Sequence, residues 1–405
     1  MPPVRKQAPL YALYAAETIS LAGNAVAQLA IPWYVLTTTG SPALTGLAVF
    51  FNFLPIVLAA FFGGVVVDRL GFRATSIVAD LASAGAVAAI PLLDATVGIE
   101  LWQLFGLVFL GALLDAPGAT ARAALLPDVV ALAESRMERA SGIRSAIQQS
   151  ALLIGAPIGG VLVAAFGATT ALWLDAASFI VSAALVGLLV PRPAVSPESE
   201  ESEERGRFFA ELAEGMRFIW RQRVLRAVVL MVLLTNLLEA PFPIVTSVFA
   251  REEYGSASDL GLMFGVFGGG ALAGALVYSA IGHRLPRRRT FLWCFTGVPL
   301  AYLALATTPP LPLTLVALGF AGLVAGPINP LLFTVTTEIV PSQLRGRVFG
   351  AVRGGAWAAI PLGTLLGGVL VGEIGVAATF LAIGLLLAVV VAYGFVNPAF
   401  REMDR

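Results

Sequence analysis

Gly64-Val65-Val66-Val67-Asp68-Arg69-Leu70-Gly71-Phe72-Arg73 places one carboxylate and two guanidiniums between two apolar runs of membrane length. Charges in that position are costly unless something pairs or hydrates them. Gly64 removes a side chain near the end of the first run, so a neighbouring helix can approach. Gly71 supplies the permissive backbone of a tight turn. Asp68, at a helix end, suits acceptance from another helix's N-terminus or from an arginine. Arg69 and Arg73 are expected at the lipid headgroups on the cytoplasmic side. Together Gly64, Asp68, Arg69, Gly71 and Arg73 read as a candidate conformational gate in a short loop between two spans.

Composition agrees with that reading. The 405 residues are 58% apolar and 12% charged, about half the charged fraction of an average soluble domain. Runs near the roughly 20 residues a span needs lie at 10–36, 43–67, 74–94, 100–121, 142–166 and 169–190. Six more follow at 224–249, 258–282, 289–307, 311–335, 348–372 and 375–397. Twelve spans put both termini on one side, and of the 25 Lys and Arg only Arg251 then falls opposite. The expectation is an all-α integral membrane protein, multi-pass in the cytoplasmic (inner) membrane with both termini cytoplasmic.

A polar break over 191–223 divides the chain into an N-terminal six-helix bundle (1–190) and a C-terminal one (224–405). Its first part, rich in Pro, Ser and Glu, reads as disordered. Residues 208–220 carry apolar residues at helical spacing and read as an amphipathic helix on the cytoplasmic membrane face, or as an extension of the seventh span. The halves also repeat. Gly159-Gly-Val-Leu-Val-Ala-Ala-Phe-Gly167 and Gly367-Gly-Val-Leu-Val-Gly-Glu-Ile-Gly375 occupy equivalent spans of the two halves.

Several function classes fall away. One histidine and one cysteine exclude a multi-histidine metal site and an internal disulfide framework. No nucleophile–base set marks an enzyme. The only lysine is Lys6, so a phosphate-binding G-x-x-x-x-G-K-[ST] loop is excluded. No cofactor, metal or nucleic acid is expected as a partner. The partners are the lipid bilayer, a small molecule and a coupling ion, and the chain is expected to act as a monomer.

The 64–73 string closely resembles the loop 2–3 signature of the major facilitator superfamily of secondary transporters. Gly155-Ala-Pro157-Ile-Gly159-Gly160 resembles the antiporter-type motif of that superfamily's exporters. Physically, Pro157 removes a helix hydrogen bond and the glycines allow close packing. Ser20-Leu-Ala-Gly23-Asn24, Leu125-Leu-Pro127, Trp173-Leu-Asp175-Ala-Ala-Ser-Phe179 and Val340-Pro-Ser-Gln-Leu-Arg345-Gly-Arg347 look like one drug/proton antiporter branch. That branch holds macrolide-efflux proteins and enterobactin-type siderophore exporters. The resemblance implies two pseudo-symmetric six-helix bundles and proton-coupled export of amphipathic small molecules by alternating access. A dedicated siderophore or metabolite exporter, or an uptake porter of the same fold, is the alternative. Two departures stand out: Asn24 occupies a position where the branch often has an acid, and Leu107–Asp115 lacks the span-four arginine of many proton-coupled antiporters.

A proton-driven exporter needs a carboxylate at membrane depth. Glu17 is one candidate, or else a carboxylate that snorkels to the interface. Glu239, beside Pro241 and Pro243, is a candidate for proton or cationic-substrate binding, or else a structural acid near the outer surface. Asp115, a third candidate for proton or substrate binding, shares a helix face with Arg122 near the cytoplasmic end of span four, where an internal ion pair is the other reading. Asp80, Arg122, Arg144, Arg345, Arg347 and Arg353 form, with Asp68, either a cytoplasmic charge network or a set of solvated flanks. Asn24, Gln28, Asn52, Asn236 and Asn329 are suited to bonding substrate in a cavity, or equally to bonding other helices. Phe242 is among the aromatics that either line such a cavity or pack. Asp175 reads as a cap or packing residue near the outer end of span six.

Overall fold

Lipid offers no partner to backbone amides, so an apolar chain of this length must satisfy them within each segment. The computed structural model describes residues 3–191, 214–341 and 344–404. Inside those ranges, the side chains of 3–5, 57, 59–70, 149, 152, 283, 337, 345–347, 349–351, 353–358 and 402–404 are not described. The described residues are helical nearly throughout and contain no strand. They divide into two compact units: Met1–Gly40 with Leu47–Glu201, and Ser41–Gly46 with Ser202–Arg405.

The first unit holds α1 (Pro3–Thr39), α2 (Pro42–Leu70, from Leu47 onward), α3 (Phe72–Thr96), α4 (Leu101–Leu132), α5 (Met137–Phe166) and α6 (Ala168–Leu189). Helix α1 packs on α5 and α6, and α3 on α4 and α6. Sequence sets the ends. Gly71 precedes α3 at φ +77°, a backbone that favours glycine. Glu100 and Gln103 close a reciprocal capping box at the start of α4.

The second unit holds α7 (Arg223–Glu239), α8 (Phe242–Phe249) and a π turn (Ala250–Tyr254), which form one near-continuous run. Then come α9 (Ala257–Ile281), α10 (Arg287–Cys294), α11 (Gly297–Leu305), α12 (Leu311–Ala325), α13 (Ile328–Ile339), α14 (Arg345–Ile374) and α15 (Val376–Val396). Helix α9 packs on α12, α11 on α15, and α14 on α7 and α8.

Nine helical runs among the described residues are long and apolar enough to cross a membrane. The spans expected at 43–67 and 348–372 fall within the continuous helices α2 and α14, 29 and 30 residues long. The span expected over 289–307 is split, because α10 ends at Cys294 and α11 begins at Gly297. The acidic linker, at 192–213, lies outside the described residues. Of the expected surface helix, 214–221 is helical.

The glycine repeat has a structural counterpart. Gly167 and Gly375 join α5 to α6 and α14 to α15 at φ +84° and +79°. A Cβ on Gly155 would come 2.3 Å from Ala25 Cβ, and one on Gly159 would come 3.1 Å from Val26 Cα. In the second unit a Cβ on Gly363 would come 2.4 Å from Ala240 Cβ, and one on Gly367 the same distance from Pro241 Cβ. Each half thus seats a G-x-x-x-G face on two consecutive residues of its own first span. The residue just before that pair is Asn24 in one half and Glu239 in the other.

Candidate functional site

Four helices of the first unit converge on a buried polar network. Arg122 on α4 is 2% exposed and donates from Nη1 to Asp80 Oδ1 on α3 at 2.6 Å. Asp80 is 0% exposed and also accepts from the Ser182 hydroxyl on α6 at 2.7 Å. Arg122 Nη2 donates to Ser20 Oγ on α1 at 3.3 Å and stands 3.6 Å from Asp115 Oδ1. Asp115 Oδ2 accepts from Asn24 Nδ2 at 3.0 Å, while its Oδ1 has no hydrogen-bond partner. A second pair ties α1 to α5. Glu17 accepts from Arg144 Nε at 2.9 Å on both oxygens and from Gln148 Nε2 at 3.2 Å.

Several expectations change here. Arg122 is 2% exposed inside α4, which runs on to Leu132, so it is no solvated flank. An arginine on span four is therefore present, beyond the stretch where the sequence lacks one. Asp115 lies about 21 Å from the start of α4 at 1.5 Å per residue and 3.6 Å from Arg122, the ion pair their spacing suggests. Glu17 does not snorkel, since Arg144 and Gln148 hold its buried carboxylate. Arg73 is half-buried; it donates from Nε to Val190 O at 2.7 Å and from Nη2 to Gly187 O, tying off the last carbonyls of α6. That is a helix C-cap.

Asp175 stands two turns inside α6, so it caps nothing. It is 1% exposed, and its Oδ1 has no hydrogen-bond partner. A Cβ on Gly23 of α1 would come 2.5 Å from that oxygen, so only glycine leaves room for it. Sequence reasoning missed Asp175, Ser182, Ser20 and Gln148 as polar members of this interior. The signal was there: Asp175, Ser178 and Ser182 recur at helical spacing in an apolar span, and Gln148 follows Arg144 by one turn.

In the second unit Glu239 closes α7 at the middle of the 32-residue run Arg223–Tyr254. Glu239 is half-buried and, among the described residues, makes no hydrogen bond or ion pair. Gln28 and Asn329 are exposed, Asn52 and Asn236 half-buried, and their side chains likewise make no bond among the described residues. Pro157 lies inside α5, which stays helical through it, and Gly160 is buried beside Gly159. The side chains of the loop signature at Gly64, Asp68 and Arg69, and of Arg345, Arg347 and Arg353, lie outside the described residues. Among the described residues no group of three His, Cys, Asp or Glu is placed for a metal ion.

Buried charges on helices flanked by packing glycines suit a transporter half that moves. All 405 residues match the profile of the transmembrane secretion effector family. The chain belongs to that family of the major facilitator superfamily. The multidrug efflux pump Tap of Mycobacterium tuberculosis is 34% identical over 399 residues, covering 98% of this chain and 95% of the pump. Macrolide efflux protein A of Streptococcus pyogenes is 22% identical over 399 residues, 98% of this chain and 96% of that protein. Among solved structures, the nucleoside transporter NupG superposes with a TM-score of 0.75 at 12% identity, covering 98% of this chain and 99% of the other. That likeness establishes the fold. The protein is a multi-pass membrane transporter.

Proposed function

We propose that the chain is a secondary active exporter of amphipathic small molecules of the drug or macrolide type, driven by proton entry. Kinship to Tap across nearly the whole length of both chains carries the export reading. The proton reading rests on the unequal grip on two carboxylates that share Arg122. Asp80 is held at 2.6 Å by Arg122 and at 2.7 Å by Ser182. Asp115 has Asn24 at 3.0 Å and only a 3.6 Å approach to Arg122. Asp115 is therefore the carboxylate that can exchange its partner for a proton. Protonation would leave Arg122 wholly to Asp80 and Ser20, changing the ties among α1, α3 and α4.

One proton moving through 100 mV supplies about 2.3 kcal/mol, enough for a gradient of roughly fiftyfold in a neutral cargo. The arrangement of basic residues favours both termini in the cytoplasm, and the chain works as a monomer with the gate at Asp68–Arg73 opening and closing as the halves rock. The test is efflux of macrolides and lipophilic dyes from cells lacking other pumps, with and without an uncoupler. Uncoupler-sensitive export that Asp115→Asn abolishes supports the reading. Export that survives uncoupling removes proton drive, and no export of any compound transfers the reading to a dedicated cargo such as a siderophore.

A further inference from the structure

Asp175 on α6 is a buried acid that the proton reading leaves unused. It is 1% exposed, and its Oδ1 has no hydrogen-bond partner. The Ser178 hydroxyl, one turn on, donates to the Asp175 main-chain carbonyl at 2.7 Å. Gly23 on α1 lies against the pair, since a Cβ there would come 2.5 Å from Asp175 Oδ1 and 2.1 Å from Ser178 Oγ. Charged groups on the helices packed against α6 are engaged elsewhere. Glu17 of α1 pairs with Arg144 of α5, Asp80 of α3 with Arg122, and Asp94 of α3 with the Tyr34 hydroxyl at 2.6 Å. Arg73 of α3 holds the last carbonyls of α6. Lys6, Tyr11 and Tyr14 of α1, with Glu138 and Arg139 of α5, lie nearer the opposite ends of those helices. The charged group within electrostatic reach of Asp175 is a second carboxylate, Asp115 on α4.

Two buried carboxyls in reach of each other, each with one unpartnered oxygen, oppose being charged together. Asp115 has an arginine at 3.6 Å and an amide at 3.0 Å, so the charge belongs there. Asp175 has neither, so the proton belongs on Asp175. Consecutive residues of α1 touch the two acids: Gly23 lies against Asp175, and Asn24 donates to Asp115. A shift of α1 therefore disturbs both at once. Successive spans alternate in direction, so α4 and α6 start at the same face. Asp175 lies about 10 Å from the start of α6 and Asp115 about 21 Å from the start of α4, at 1.5 Å per residue. Asp175 is the shallower of the two.

We propose that Asp175 and Asp115 hold one proton between them, with Asp175 as its carrier while Asp115 is charged beside Arg122. The proposal rests on the proton-driven reading and adds a second carrier to it. In the step, the O–H bond at Asp175 breaks and one forms at Asp115 Oδ1, the oxygen with no hydrogen-bond partner. Asp175 becomes the carboxylate and takes its next proton from water at the face where α6 starts. Among the described residues, Glu239 of the second unit has no such partner acid. It lies within electrostatic reach of Tyr302, whose ring centroid is 5.8 Å from that of Phe242.

Infrared spectroscopy of the purified full chain in lipid nanodiscs tests this, because a protonated carboxyl has a C=O band that a carboxylate lacks. Wild type shows the band at neutral pH, and Asp175→Asn loses one carboxyl's share of it. Asp175→Glu keeps that share at a shifted frequency. Asp115→Asn keeps it too, but gives it up at a pH about one unit lower than wild type, since the neighbouring negative charge is gone. A wild type without the band, or a band that Asp175→Asn leaves unchanged, overturns the carrier. A pH dependence that ignores Asp115→Asn overturns the sharing. Should Asp175→Asn aggregate, an unshifted band in Asp175→Glu overturns the carrier equally. Erythromycin efflux from cells is read separately. Asp175→Asn lowers its uncoupler-sensitive part about tenfold or more, and Asp175→Glu restores most of it; efflux unchanged in Asp175→Asn overturns its place in the cycle. If wild type exports nothing while the band follows Asp175, the carrier stands and the export reading falls.

Discussion

In the first unit Gly155 and Gly159 seat on Ala25 and Val26, and the preceding Asn24 gives its amide to Asp115. In the second, Gly363 and Gly367 seat on Ala240 and Pro241, and the preceding Glu239 bonds nothing among the described residues. The packing seam is repeated; the residue beside it is free to differ. One half surrounds that position with arginine, serine and a second carboxylate, and so bonds it from within the protein. The other surrounds it with phenylalanine and tyrosine, and so keeps an unanswered charge. Fold geometry and charge placement are therefore separable in this chain, since helix approach is set by small residues and polarity by their neighbours.

Removing Arg122 is the strongest way to break the closed side. Arg122→Ala leaves Asp80 buried without its cation, and loss of one partner of a buried pair costs about 3–5 kcal/mol. Detergent-solubilised protein should lose its monodisperse size-exclusion peak or melt far below wild type. The seam comes next. Gly155→Leu and Gly363→Leu each add a Cβ that would fall 2.3 and 2.4 Å from Ala25 Cβ and Ala240 Cβ, at about 1–3 kcal/mol apiece. Closely similar shifts in thermal unfolding would support the equivalence of the two seams; a shift in only one would break it.

Ser182→Ala sharpens the account of the network, because it takes away the second donor to Asp80. A cost of about 1–2 kcal/mol is expected, read from reversible unfolding in mixed micelles. Asp175→Asn should be neutral or stabilise by up to about 1 kcal/mol, since an amide of the same shape carries no unmatched charge. A clear loss would mean that Asp175 is tied into the network after all. Glu239→Gln should move stability least, within about 0.5 kcal/mol, because no partner is left behind. The same unfolding curves measure it, and a large drop would show that the open side is closed.

The all-helical membrane fold was legible from one ten-residue string and from long apolar runs set apart from the charged residues. Both signals follow from lipid excluding charge, which acts on sequence directly. The site was legible only in part. Helical spacing placed Asp115 beside Arg122, but Asp80 and Ser20, which bind the same guanidinium, come from α3 and α1, and no local spacing points to them. The Glu17 carboxylate was judged by its depth, yet Arg144, over a hundred residues away in sequence, decides its state. The pairing of Asn24 with Glu239 needed the contact partners of each glycine, since the spans that contain them share no evident residue pattern.

The Asp80–Arg122 tie also bears on how the chain reaches the membrane. Each of those residues, entering lipid on a lone helix, costs about 2.5–3.5 kcal/mol near the bilayer centre. Helices α3 and α4 are joined by only the four residues 97–100, so the two charges meet as soon as both helices are synthesised. The pair is thus a unit of biogenesis: the ribosome delivers a hairpin whose charges cancel before either helix is left alone in the bilayer.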